Sequence, residues 1–120
     1  MKKCIYVVED HPAIREIIEF LLTEELYEVK AFPNSADFWE RMQDNIPDMV
    51  ILDIRLPDAN GIDICNKLKQ NAKTHHIPVM MMSANNHLSA VKAKCTAEDF
   101  INKPFDLNDF ANRVQHYVSN

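Results

Sequence analysis

Short apolar runs recur along the chain at Cys4–Val8, Tyr27–Phe32, Met49–Leu52, Pro78–Met82 and Phe100–Ile101, and between them the apolar residues fall at every third or fourth position. Continuous runs predict buried strands and the wider spacing predicts amphipathic helices, so the chain reads as β-α repeated five times. The first helix is expected to open at Pro12, a residue tolerated in a first turn. Its inner stripe would be Ile14, Ile17, Ile18, Leu21 and Leu22, with Glu16, Glu19 and Glu24 facing water. The second helix follows the cap candidates Asn34 and Ser35 and turns Phe38, Trp39 and Met42 inward; the third carries Ile62, Cys65 and Leu68. The fourth has only a thin stripe of Leu88, Val91 and Cys95, amid Asn85-Asn86-His87 and lysines. The fifth has Asp106 as N-cap, Asp109 three residues on, and Leu107, Phe110, Ala111, Val114 and Tyr117 inward. Strands 1, 3 and 4 are nearly uninterrupted apolar runs, as a parallel sheet covered on both faces requires. The expected fold is an α/β doubly wound sandwich, whose crevice lies outside the carboxyl ends of the strands.

The chain has 120 residues, enough for one globular domain that buries roughly two thirds of its unfolded surface without staples. Three separated cysteines, Cys4, Cys65 and Cys95, form no C-x-x-C pair, and their odd number argues for reduced thiols. No apolar run reaches the ~18 residues of a membrane span, and the apolar stretch after Met1-Lys2-Lys3 is too short for a secretory signal. A cytoplasmic protein without membrane contact is expected. Thirteen basic against 18 acidic residues give a net charge of −5 and no basic stripe, which disfavours direct binding of nucleic acid. The single glycine, Gly61, argues against flexible hinges.

The candidate chemistry lies where the strands end. Strand 1 runs into Glu9-Asp10, strand 3 into Asp53, strand 4 into Ser83 and strand 5 into Lys103-Pro104. Each residue alone has an ordinary reading: acids before a helix N-terminus, a turn aspartate, a turn hydroxyl, a solvated lysine. Four strands delivering them to one rim is a different matter. Three carboxylates with no cysteine or histidine ligand beside them form a hard-oxygen set suited to Mg2+, with Mn2+ an alternative. A carboxylate in such a set can attack phosphorus to give an aspartyl phosphate, while a lysine and a hydroxyl stabilise the transferring oxygens. Walker, G-x-G-x-x-G, H-E-x-x-H and G-x-S-x-G motifs are absent.

These segments, Val7-Val8-Glu9-Asp10, Ile51 to Gly61, Met82-Ser83-Ala84 and Phe100 to Phe105, resemble those of response-regulator receiver domains of two-component signalling. The resemblance implies a flavodoxin-like five-stranded parallel sheet of order 2-1-3-4-5 flanked by five helices. It implies Asp53 as phosphoacceptor, Glu9, Asp10, Asp53 and the Arg55 carbonyl as the Mg2+ set, and Lys103 as the phosphate-pairing lysine. Ser83 would be the switch hydroxyl and Phe100 the switch aromatic. Lys103-Pro104 would be a cis bond that aims the ammonium into the acidic pocket. The implied phosphodonor is a sensor histidine kinase or histidine phosphotransfer protein, and the output is docking to a protein target through the face of helix 4, strand 5 and helix 5, including Lys92, Lys94, Asn102 and Asn108. The chain would catalyse only its own phosphorylation and dephosphorylation. Residues 1–120 would form one receiver domain with no attached output domain; a segment of a longer regulator or hybrid kinase fits the same residues.

Several positions depart from the family. Thr96-Ala97 stands where Gly-Ala is usual, and threonine tolerates positive φ poorly. Ser83 replaces the commoner threonine and loses the methyl that helps fix a rotamer. Phe100 lacks the phenolic oxygen of the frequent tyrosine. Arg55 and Asn85 occupy positions that tune phosphoryl lifetime in the family. A haloacid-dehalogenase-type hydrolase would need an aspartate where Arg55 stands, and an FMN-binding flavodoxin would need a Ser/Thr/Gly-rich loop where Glu9-Asp10-His11-Pro12 stands. The scattered histidines, including His75-His76, offer no zinc set, and Met80-Met81-Met82 reads as strand core.

Overall fold

A computed structural model describes residues 2–84 and 88–118. Five strands alternate with five helices in the order β1 (Cys4–Val8), α1 (Pro12–Glu24), β2 (Glu28–Phe32), α2 (Ser35–Met42), β3 (Met49–Asp53), α3 (Gly61–Gln70), β4 (Val79–Ser83), α4 (Leu88–Lys92), β5 (Asp99–Asn102) and α5 (Leu107–Val118). All pairings are parallel and the sheet order is β2-β1-β3-β4-β5. The order reverses between β1 and β3, so their carboxyl ends flank the crevice.

Alternation along each strand builds two cores. Ile5, Val7, Met49, Ile51, Met80 and Met82 point to one face, where Ile18 and Leu22 of α1 and Phe110 and Val114 of α5 cover them. Tyr6, Val8, Val50, Leu52, Val79 and Met81 point to the other, under Phe38 of α2 and Ile64, Cys65 and Leu68 of α3. Burial of both faces explains why the central strands carry no polar alternation. The three cysteines are free, and burial pushes the Cys65 thiol up to about 12, which leaves it unreactive at neutral pH. No helix among the described residues is long and apolar enough to cross a membrane.

The ladders run one residue further than the apolar runs suggest in β3, β4 and β5. Asp53 pairs with Met82 and Ser83 with Asn102, so these polar residues are held by the sheet itself. Backbone pairing is indifferent to side-chain polarity, which is why hydropathy alone ends the strands early. The helix faces also differ in part from the expected ones. Ile17 and Leu107, expected inward, are each about half exposed (49% and 47%), whereas Ile64 and Val118 are buried without having been anticipated. The Ile18–Leu22 pair centres the buried arc of α1, and Ile17 lies at its margin facing a cleft beside the β5–α5 connection. Val91 and Cys95 are buried as expected, with Cys95 beyond the end of α4. Asn85, Asn86 and His87 lie outside the described residues, as does the Leu88 side chain.

The turn at Thr96-Ala97 is made without positive φ; among the described residues only Leu26 has it, at 69°. Leu26 follows the C-cap of α1, where its N–H donates to Thr23 O (2.9 Å) and that of Tyr27 to Leu22 O (3.2 Å). This is a Schellman closure with leucine in the place that glycine usually takes. A left-handed residue with a Cβ costs roughly 1–2 kcal/mol, and Leu26 is 71% exposed, so its side chain returns little through burial. Leu26→Gly is therefore expected to raise stability by about 1 kcal/mol in urea denaturation. A destabilised variant would contradict this account of the turn.

Candidate functional site

Glu9, Asp10 and Asp53 converge at the carboxyl ends of β1 and β3, with one carboxylate oxygen from each lying within 4.8 Å of the others. Glu9 is fully buried and Asp53 nearly so, whereas Asp10 stands at the exposed rim. Burying carboxylates is costly without compensation, and here the compensation comes from across the sheet. Lys103 Nζ, from the end of β5, donates to Asp53 Oδ2 at 3.0 Å and to Glu9 Oε1. The other Glu9 oxygen accepts the His11 N–H (3.0 Å) at the start of α1. The Lys103-Pro104 bond is cis, and the Lys103 N–H donates to Ser83 O at 2.7 Å, which fixes the lysine backbone against β4.

The electrostatics follow from burial and proximity. Desolvation pushes the Glu9 carboxyl above its ordinary value, against the pull of hydrogen bonds from Lys103 and the His11 backbone, and the Asp53 charge adds to the rise. Burial alone would lower the Lys103 ammonium. Its hydrogen bonds and charge contacts with Glu9 and Asp53 more than offset this, and its net shift is upward. A cation thus stands between two acids.

Three supports have contacts that only the structure shows, although Asp58 and Gly61 lie in the segment Ile51 to Gly61 that carries the family resemblance. Arg15 Nη1 donates to the carbonyls of Glu9 (3.0 Å) and Asp10 (3.3 Å), pinning the β1–α1 turn; an arginine in the first turns of an otherwise amphipathic helix carries no distinguishing signal. Asp58, in the connection from β3 to α3, accepts the Ser35 N–H (2.9 Å) and the Ala36 N–H (3.0 Å), tying that connection to the start of α2. Those backbone bonds, the Ser35 one foremost, lower its carboxyl pKa. Gly61 opens α3 against the end of β3, and a Cβ there would lie 2.2 Å from the carbonyl oxygen of Asp53. No other residue fits behind Asp53 without displacing it.

The structure brings the remaining sequence candidates to the same rim. Asp10, Asp53, Arg55 and Ser83 border one small pocket, with Arg55 exposed in a turn closed by the Leu56 N–H to Ala59 O bond (3.2 Å). On its other side the acidic cluster opens into a cleft of about 740 Å³ walled by Pro12, Ile14, Ile17, Phe105 and Leu107. Phe100 is half-buried against the core under α3, with Lys92 Nζ of α4 5.8 Å from its ring centroid. Of the expected docking face, Lys92, Lys94 and Asn108 are exposed, but the Asn102 side chain is half-buried and its Oδ1 wholly so.

The donor set suits a hard cation of the Mg2+ class: three carboxylates, one open to solvent, with no sulfur or imidazole among them. Without the cation, pH reports on Glu9. Its folded-state pKa is raised, so the folded protein holds this proton at pH values where the unfolded chain has released it. Stability contributed by Glu9 is complete below the ordinary glutamate value of ~4.3 and is lost as pH rises through the raised folded value. Thermal melts without divalent cations should show wild type losing more stability than Glu9→Gln across that window; parallel pH profiles would contradict the assignment.

Comparison with known proteins agrees with this geometry. The model of the response regulator receiver domain matches residues 5–115. The chain is 31% identical to histidine kinase P4 of Formosa agariphila, covering 99% of this chain and 9% of that protein, and 34% identical to the phosphate regulon transcriptional regulatory protein PhoB of Rhizobium meliloti, covering 92% and 50%. It thus spans half or less of these curated relatives' length. Among solved structures, a response regulator of Chloroflexus aurantiacus superposes with a TM-score of 0.92 at 25% identity over the whole of both chains. The response regulator TrrA of Thermotoga maritima, solved in complex with Mg2+ and beryllofluoride, gives 0.84 at 26% identity over 98% of this chain and 99% of its own. The chain belongs to the response regulator receiver domain family of two-component systems.

Proposed function

We propose that the domain takes a phosphoryl group from a phosphohistidine of a sensor histidine kinase or histidine phosphotransfer protein onto Asp53. The observation that carries this reading is the Lys103 ammonium bonded to both Glu9 and Asp53 inside a triad of carboxylates. Such an arrangement orients one Asp53 oxygen and supplies positive charge where a transferring phosphoryl group would gather negative charge.

An Asp53 carboxylate oxygen attacks phosphorus, the P–N bond of the donor breaks, and the imidazole nitrogen keeps the electron pair. Lys103 stays protonated and can pair with a phosphoryl oxygen, a role supported by its raised pKa. Glu9, Asp10, Asp53 and the Arg55 carbonyl would hold Mg2+, which when bound neutralises charge on the phosphoryl oxygens. The Ser83 hydroxyl donates to a phosphoryl oxygen, and Phe100 moves further into the space that Ser83 leaves. The face of α4, β5 and α5 changes as a two-state equilibrium and presents Lys92, Lys94 and Asn108 to a protein target. Water then attacks phosphorus and returns the carboxylate, so the only group turned over is the domain's own aspartate. This cycle fits a cytoplasmic signalling protein.

Incubation with a small phosphodonor and Mg2+ should add one phosphoryl mass to the peptide containing Asp53. Asp53→Asn should reduce that label to background, because an amide is a far poorer nucleophile. Undiminished labelling of the variant would overturn the reading.

A further inference from the structure

We propose that Asp58 is a positioning residue for the cation site, tying the connection that carries Arg55 to the start of α2 and through it to the Glu9 end of β1. This rests on the reading of Glu9, Asp10, Asp53 and the Arg55 carbonyl as the cation set above. Asp58 Oδ1 accepts the Ser35 N–H at 2.9 Å and Oδ2 the Ala36 N–H at 3.0 Å, across 23 and 22 residues of chain. Helix α2 already has a local cap, because Asn34 accepts the Asp37 N–H at 2.8 Å. Water can serve the other N–H groups of a first turn. Here both oxygens of an exposed carboxylate from a different connection are committed to them.

Both sides of this contact lead back to the acidic cluster. On one side, Ile54 to Gly61 fold into a small hairpin: the Gly61 N–H donates to Ile54 O at 2.7 Å, Arg55 and Asn60 form an antiparallel bridge, and the Leu56 N–H donates to Ala59 O at 3.2 Å. Asp58 stands at the tip of this hairpin, and Arg55 on the limb that leaves Asp53. On the other side, α2 begins shortly after Phe32, the last residue of β2, whose carbonyl accepts the Glu9 N–H at 3.0 Å. Asp53, the hairpin, Asp58, the start of α2, Phe32 and Glu9 thus form a ring of contacts, which the β1–β3 ladder closes where Val8 pairs with Leu52.

The ladder between β1 and β3 stops at Val8 and Leu52, so it does not reach Arg55. Gly61 fits closely behind the Asp53 carbonyl and fixes the base of the hairpin, and the two Asp58 bonds fix its tip. With the tip released, the hairpin can swing about its base, and only part of the population holds the Arg55 carbonyl in place. Apparent affinity for a cation falls by that fraction. The coupling is reciprocal: occupancy of the site steadies the hairpin and therefore the bonds from Ser35 and Ala36.

The test is a Mg2+ titration followed through backbone amide shifts, paired with amide hydrogen exchange. Asp58→Ala should weaken Mg2+ binding about fivefold, a modest coupling factor, and Asp58→Asn, which keeps one acceptor oxygen, should fall between it and wild type. Asp63→Asn removes an exposed charge from the first turn of α3 and should stay near wild type, which separates the tether from a simple loss of charge. In wild type, saturating Mg2+ should slow exchange at Ser35 and Ala36; in Asp58→Ala it should leave both unchanged, a dependence that a cap serving α2 alone would not produce. Unchanged affinity in both Asp58 variants, equal weakening by Asp63→Asn, or exchange at Ser35 and Ala36 indifferent to Mg2+ in wild type would overturn the inference while leaving the site reading intact. Failure of wild type to bind Mg2+ would instead defeat the site reading and this inference together.

Discussion

One ammonium group holds the functional end of this molecule together. Two like charges about 4 Å apart repel by roughly 4 kcal/mol at an effective dielectric of ~20, so three carboxylates brought to one rim oppose the fold that gathers them. Lys103 reaches Glu9 and Asp53 at once and offsets part of that repulsion; Asp10 stays at the solvent edge, where water screens it. The residual unbalanced negative charge suits the cluster to a hard cation.

The fold sets the terms of this balance. A parallel sheet places every carboxyl end at one edge, so residues 94 positions apart, Glu9 and Lys103, meet without any local sequence relation. Asp53 and Ser83 are held within β3 and β4, Glu9, Asp10 and Lys103 lie directly beyond β1 and β5, and the connections around them are braced: Arg15 on the carbonyls of Glu9 and Asp10, Asp58 on α2, Gly61 against the Asp53 carbonyl. On β4 and β5 the side chains of Ser83, Phe100 and Asn102 leave the sheet on one face.

Much of this was legible in the sequence because the signals are chemical. The apolar runs marked five strands, and the acids, hydroxyl and lysine at their ends marked the site. Less was legible where geometry outweighs composition. Ile17 satisfies helical spacing yet lies at the margin of the buried arc, and Leu107 sits at the mouth of the cleft because α5 begins beside the site. Leu26 takes a left-handed conformation that nothing in its residue type announces. Asn102 reads as a surface residue, and only cross-strand register shows that its amide oxygen is buried beside Ser83.

The central claim, that Glu9, Asp10 and Asp53 form one mutually repelling cluster that a shared cation relieves, is tested most directly by thermal melts of wild type and Asp10→Asn with and without Mg2+ at constant ionic strength. Mg2+ that binds only the folded cluster should add about 2.7 kcal/mol at a hundred times its Kd. Wild type should therefore melt higher with millimolar Mg2+. Asp10→Asn should melt higher than wild type without metal, through relieved repulsion, and gain less from Mg2+ through the lost ligand. No Mg2+ dependence in wild type, or a metal-free Asp10→Asn that melts lower, would contradict the account.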